Sequence, residues 1–247
     1  DNTGDLTSLG FKMSRVPIPP NLSKMLVLSK QATFDCFDEI LIIVGMLSIE
    51  SNSGAGYFQR PKNFEKLADS KRLNFVVPYS DHLTLLNLYS KWQYNNCSMK
   101  WCERNFINHR ALLKVGKIVE QLQRVANGIG VGTFKSNKKA NRKHHQNTWE
   151  NVKKCVTTGY SYRNIGKKIG LNKYMSLQNG MTLQIHPTSS LFGLPDLPPY
   201  IIYHDLLLTS KEYINCVTAV DPVWIMEYQP FYFNIHAAVS EENGEVV

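Results

Sequence analysis

Between Lys114 and Lys173 the chain places fourteen Lys and Arg against two acids, Glu120 and Glu150. Half of its 28 basic residues thus fall within about a quarter of its 247 residues. Such clustering costs self-repulsion unless an anion relieves it, so the chemistry it suits is phosphate contact. Further on, His186-Pro-Thr-Ser-Ser190 brings an imidazole and three hydroxyls together. A serine near a histidine in sequence does not make a nucleophilic triad, and hydroxyls so placed more often bond the backbone of a turn. The pairs Tyr160/Tyr162 and Tyr200/Tyr203 offer faces for unstacked bases, with core packing the equal alternative.

Other chemistries lack their residues. No GxxxxGK[ST] phosphate cradle, GxSxG elbow or HExxH pair occurs. Gly128-Ile-Gly130-Val-Gly132 follows a helical pattern rather than a strand, which argues against a dinucleotide loop. Cys97, Cys102 and His109 lack a fourth ligand at zinc spacing. Five scattered cysteines read as reduced thiols rather than a disulfide framework. The longest apolar run, Ile40 to Met46, is too short to cross a bilayer, so no membrane is expected. No secretory signal pattern opens the chain, and Asp1-Asn-Thr-Gly-Asp5 reads as a turn within a longer protein. With 43% hydrophobic and 19% charged residues the chain is globular, of one or two domains. Its net charge of +8 favours an acidic partner, nucleic acid first.

The elements that must position these groups change in character along the chain. Residues 1–20 are turn-rich, with a short strand expected at Leu6–Leu9 and Pro17, Pro19 and Pro20 set against a helix. Leu22, Met25, Leu26 and then Ile40, Leu41, Val44 and Leu47 recur at helical spacing and predict two packed helices. A loop and one exposed helix follow over 50–80. Asp81 is the expected N-cap of a helix carrying Leu83 to Trp92, followed by helices over about 98–107 and 108–127. Phe134 to Gln146 reads as a polar basic loop, and Thr148 as the cap of a last helix reaching Thr157. After Gly159 short strand-like runs take over: a hairpin from Tyr174 to Ile185, then Tyr200–Leu208, Tyr213–Val220 and Ile225–Phe233, with an acidic tail from Ser240. The sum is an α+β chain, a helical layer followed by a small β-barrel.

An ordered series of residues then carries a resemblance. It runs through Leu6-Thr-Ser-Leu-Gly10, Leu22-Ser-Lys-Met-Leu26, Asp81-His-Leu-Thr-Leu-Leu-Asn87, Trp101-Cys102, Asn105-Phe106, Asn108 and Arg110. It continues through Ile185-His-Pro-Thr-Ser-Ser-Leu191, Ile202-Tyr203-His204 and Leu208-Thr-Ser-Lys-Glu-Tyr213. Across nearly its whole length the chain resembles the C-terminal region of the DEAH-box RNA helicases. The resemblance implies the end of a winged-helix domain at 1–17, a helical ratchet domain at 18–157 and an OB-fold with its acidic tail at 158–247. It also implies two preceding RecA-like motor domains that hold ATP and Mg2+, leaving this chain with no cofactor and no ATPase of its own. The runs His186–Gly193 and Thr209–Asp221 are most similar to members acting at the second catalytic step of pre-mRNA splicing, which implies a nuclear protein. The partners implied are single-stranded pre-mRNA or snRNA, the motor domains, spliceosomal proteins and a glycine-rich-patch activator. The alternative is a protein-docking module of a relative from ribosome assembly or another splicing step. The basic Lys135–His145 run and the unusually basic Gly166-Lys-Lys-Ile-Gly170, where relatives carry a glycine-containing turn, depart from the family pattern.

The residues expected to face RNA follow from the matched stretches. Asn108 and Arg110 open a helix in the Asn-x-x-Asn-x-Arg stretch, where backbone amides and a guanidinium suit phosphate, and Lys114 lies one turn along the same face. On the barrel, His186, Thr188 and Ser189 lie in the His-Pro-Thr-Ser loop and Lys211 in the Thr-Ser-Lys-Glu-Tyr loop. Hydroxyl, imidazole and ammonium groups suit sugar–phosphate contact without base choice. The structural alternative is that Thr209 and Ser210 cap a turn and His186 braces a strand. Trp92, Trp101, Trp149 and Trp224 are assigned to the core.

Overall fold

The computed structural model describes residues 4–50, 56–131, 145–160, 163–171, 173–208 and 211–228. Most of the basic Lys135–His145 run, Tyr162, Thr209, Ser210, residues 229–233 and the acidic tail lie outside them. The helical layer runs α1 (Ser8–Ser14), α2 (Pro20–Leu28), α3 (Phe37–Glu50), α4 (Glu65–Leu73), α5 (Asp81–Tyr94), α6 (Met99–Arg104), α7 (His109–Gly128) and α8 (His145–Tyr160). At its centre lies α3, whose Ile40, Leu41, Ile43, Val44, Met46 and Leu47 are all fully buried; a helix apolar all round must be covered on every side. On one side α7 presents Ala111, Leu112, Val115, Val119, Leu122 and Ala126 to it and turns its charged residues outward. All four tryptophans pack on this core.

Local capping decides several boundaries that periodicity does not. The expected strand at Leu6–Leu9 is instead the start of α1, because the Thr7 hydroxyl accepts the Gly10 N–H at 3.1 Å. The prolines do not exclude helix from this region; Pro20 opens α2, where a missing N–H costs nothing. Asp81 is not the cap of α5. Ser80 is, its hydroxyl accepting the Leu83 N–H at 3.2 Å. Thr148 likewise does not mark a helix start but lies within α8, which includes His145.

The barrel comprises β1 (Ile165–Gly170), β2 (Lys173–Ser176), β3 (Thr182–Ile185), β4 (Tyr200–Leu208) and β5 (Glu212–Ala219). Strand order is β1-β2-β3-β5-β4, closing back on β1, and β3 runs parallel to β5 while the other pairs are antiparallel. The basic Gly166–Gly170 stretch is thus a strand rather than a loop. Gly166 lets it pass close to β4, where an added Cβ would stand 3.0 Å from Ile201 Cγ1. In the described part of the strand expected at Ile225–Phe233, residues 225–228 instead belong to a helix, α9 (Pro222–Tyr228): the Asp221 carboxylate accepts the Val223 N–H at 2.8 Å, and Pro222 supplies the first helical residue.

Alternation along β4 and β5 joins the two layers. Ile201, Tyr203, Ile214 and Val217 fill the barrel with Tyr174, Leu183, Ile185 and Leu191, while Ile202 and Cys216 face the helical core. A left-handed φ of +52° at Cys216 shifts the alternation so that both Ile214 and Val217 point inward. Tyr160 and Tyr203 are buried, so neither offers a stacking face.

A buried polar seam runs along this junction. Thr218, fully buried, has its hydroxyl 2.8 Å from both Ser80 Oγ and His82 Nδ1. The Ala219 N–H donates to Tyr79 O at 2.8 Å. The Tyr160 hydroxyl bonds His204 Nδ1, and the Tyr160 ring lies 5.4 Å from that of His82. Burial, helped by the neighbouring His204, pushes His82 down from 6.5 to about 3; burial also lowers His204, against the opposing pull of Asp205.

Two outcomes are expected from this packing. An alanine Cβ at Gly159 would sit 2.5 Å from Met25 and 2.7 Å from the Asn21 carbonyl, a backbone atom that cannot swing away. Gly159→Ala should therefore lower the unfolding free energy by about 1–3 kcal/mol, read from urea titration. The second concerns acid. A histidine held below its unfolded value contributes stability that is complete above pH 6.5 and is lost as pH falls toward 3. Its slope is about 1.4 kcal/mol per pH unit. The difference in unfolding free energy between wild type and His82→Gln should shift by that slope over this window; parallel curves would exclude a neutral, buried His82.

Candidate nucleic-acid interface

The residues expected to face RNA fall on two supports. Asn108 is the N-cap of α7, its side chain accepting the Ala111 N–H at 3.1 Å, and its own N–H donates to Tyr57 O at 2.9 Å. The structure thus uses Asn108 to fix the start of the helix. Arg110 and Lys114 stand exposed on the polar side of α7, four residues apart, and make no ion pair among the described residues. Lys117 is exposed on the same helix. A helix bound to the core by one stripe and carrying unneutralised cations on the other can approach a phosphate chain without repacking.

On the barrel, the loop after β3 holds His186, Thr188 and Ser189. His186 Nδ1 lies 2.7 Å from Thr188 Oγ1 and accepts the Thr188 N–H at 3.3 Å, which puts the proton of the neutral ring on Nε2. The ring packs edge-on against Tyr213 at 5.6 Å. Burial and then the Arg72 charge lower its pKa, with Asp81 opposing. At neutral pH His186 is therefore an uncharged donor rather than a cation. Thr188 is exposed, whereas Ser189 is buried. The Ser189 hydroxyl donates to Asp81 Oδ2 at 2.6 Å and accepts the Leu191 N–H at 3.2 Å, so it is engaged within the fold. Lys211 is exposed in the β4–β5 turn, two residues before Tyr213; because Gln184 pairs with Tyr213 in the parallel β3–β5 ladder, Lys211 lies toward the start of β3 rather than at its His186 end.

Two residues that the sequence reading did not assign to the interface tie the His186 loop to the helical layer. The Arg72 guanidinium on α4 lies 4.8 Å over the Phe58 ring and donates to the Thr188 carbonyl. Phe58 bridges Ile107, the residue before Asn108. The start of α7 and the His186 loop are thus linked through Phe58 and Arg72. The second is Asp81, whose carboxylate also accepts the N–H groups of Ser190 at 2.6 Å and Val217 at 2.8 Å. Its neighbour Ser80, an equally good cap, was the available sign that Asp81 is not needed for capping; nothing in α4 marks Arg72 as reaching across to residue 188. A cleft of about 170 Å³ lies on the barrel between Asn164, Gln178, Asn179 and Tyr203, apart from these residues.

The described residues gather no set of three His, Cys, Asp or Glu side chains able to hold a metal, and no described helix is long and apolar enough to cross a membrane. Cys102 is buried, and His109 Nε2 faces the Cys97 carbonyl at 3.1 Å.

Comparison with known families divides the chain in the same order as its layers. Residues 19–85, from α2 into α5, match the helicase associated domain (HA2), ratchet-like. Residues 152–232, from α8 through the barrel and beyond α9, match the oligonucleotide/oligosaccharide-binding (OB) fold. The five-stranded closure and the parallel β3–β5 pair agree with the second match. The chain therefore carries a ratchet-like helicase-associated domain followed by an OB-fold domain, an arrangement typical of the C-terminal region of DEAH-box helicases.

Proposed function

We propose that this chain is the RNA-channel and regulatory module of an ATP-dependent DEAH-box RNA helicase. The observation that carries the reading is an exposed cation row on α7, Arg110 and Lys114, in a chain whose barrel presents Thr188 and His186 on the loop after β3 and an exposed Lys211 on the β4–β5 turn. Guanidinium, ammonium, hydroxyl and neutral imidazole groups grip a sugar–phosphate chain without choosing bases, as a translocating enzyme requires. ATP and Mg2+ belong to RecA-like motor domains of the whole protein, over which this module would close. The likeness of His186–Gly193 and Thr209–Asp221 to second-step splicing members supports a nuclear role in spliceosome remodelling. Pre-mRNA or snRNA, spliceosomal proteins and a glycine-rich-patch activator are the corresponding partners.

The test is fluorescence anisotropy of the chain with a labelled, unstructured single-stranded RNA at about 50 and 200 mM salt. Binding should weaken steeply with salt and tolerate changes of sequence. Arg110→Glu, Lys114→Glu and Lys211→Glu should each weaken it several-fold and leave thermal unfolding nearly unchanged, because all three side chains are exposed. Salt-dependent binding to an acidic spliceosomal protein, with none to RNA at the lower salt, would replace this reading by the docking one.

A further inference from the structure

We propose that Asp81 is a positioning residue: from the first turn of α5 its carboxylate sets the shape of the His186–Leu191 loop and registers the barrel's RNA-facing groups to the helical domain. The inference rests on the reading of that loop as RNA-facing and adds the group that holds it.

The carboxylate is not occupied in capping its own helix, because Ser80 does that. Its oxygens instead take three donors from two separate segments of the barrel. Oδ1 accepts the Ser190 N–H at 2.6 Å, and Oδ2 accepts the Ser189 hydroxyl at 2.6 Å and the Val217 N–H at 2.8 Å. Short bonds to an ionised acceptor are the strong kind, and three on one carboxylate leave it little freedom. Two of the donors belong to the residues directly after Thr188. The third belongs to the strand residue that follows the left-handed Cys216. The chain then closes on itself: Ser189 Oγ accepts the Leu191 N–H, and the Leu191 side chain is fully buried in the barrel core. Arg72 holds the Thr188 carbonyl from the other side. The barrel holds His186, whose N–H donates to the Ile214 carbonyl at 3.1 Å and whose ring packs on Tyr213, while the helical domain holds the next residues, Thr188 to Ser190, through Arg72 and Asp81. A change in the position of α5 reaches that loop through one side chain.

The competing role for an acid at this place is generic: a negative charge in the first turn favours the helix dipole. Asp81→Glu separates the two, because glutamate keeps the charge in the first turn but carries the carboxylate one methylene too far for the three donors. The experiment uses the full chain as wild type, Asp81→Glu, Ser189→Ala and the double variant. It reads RNA affinity by anisotropy and amide exchange at Ser190 and Val217, with Leu88 and Leu112 as core controls. Asp81→Glu should weaken RNA binding about tenfold, the size of one lost charge-assisted bond. It should also speed exchange at Ser190 and Val217 while the control amides stay protected. Ser189→Ala should weaken binding too, and the double variant should lose no more than Asp81→Glu alone, because both break the same link. Wild-type affinity and exchange in Asp81→Glu, or losses that add, would overturn the proposal. If the wild type binds no RNA, the functional reading falls, and exchange at Ser190 and Val217 decides the positioning role alone. Should Asp81→Glu fail to fold, Ser189→Ala removes only one of the three donors and must still speed exchange at Ser190.

Discussion

The arrangement depends on one constraint: the outer face of β4 and β5 is apolar and must be covered, yet the strand ends there carry polar groups that need partners. Ile202 and Cys216 belong to the same buried cluster as α3 and α7, so the barrel and the helical layer share a core. Burying that face also buries Thr218 and the Val217 N–H, and each would cost about 1–3 kcal/mol if left unmatched. The start of α5 supplies the matches. Tyr79 offers its carbonyl, Ser80 and His82 meet the Thr218 hydroxyl, and Asp81 takes the Val217 N–H. Apolar contact holds the layers together, and these directional bonds allow only one register between them.

That register is what fixes the surface groups of the two layers relative to one another. Arg110 and Lys114 are fixed by the helix that packs on α3, and Thr188 and Lys211 by loops of the barrel. If the layers slid, each group would stay exposed but the spacing between them would change. The Phe58–Arg72 stack against the Thr188 carbonyl adds a second tie on the α4 side. Among the described residues Arg110 and Lys114 make no ion pair, whereas Arg60, close to α4, is neutralised by Asp69.

Where burial is periodic, the sequence made the structure legible. Leu22 to Leu26, Ile40 to Leu47, Leu83 to Trp92 and Leu112 to Val125 announced α2, α3, α5 and α7, and turn chemistry announced the β2–β3 hairpin and β4. The misread elements were short. Seven residues carry too little periodicity to be told apart, and both α1 and α9 are decided by one capping side chain, Thr7 or Asp221. β1 was hidden because its lysines and glycines mask a strand whose pairing comes entirely from β2 and β4. For the interface, the exposed cations were legible from type and spacing. The inward use of Ser189 was not, since its partner lies 108 residues away.

Ser80 and Asp81 show why that limit is physical. Either side chain is a good helix cap, and sequence preference does not separate them. The backbone does: Tyr79 sits at a left-handed φ of +63°, and Ser80 follows in an extended conformation with φ −153°. That turn aims the Ser80 hydroxyl at the Leu83 N–H and carries Asp81 into the first helical turn, its carboxylate facing the barrel. The conformation of Tyr79 is itself held by the Ala219 N–H on β5. The division of labour between two adjacent residues is therefore set by a strand more than a hundred positions downstream. The same coupling ties the first turn of α5 to the loop at the rim of the barrel, so neither layer completes this junction without the other.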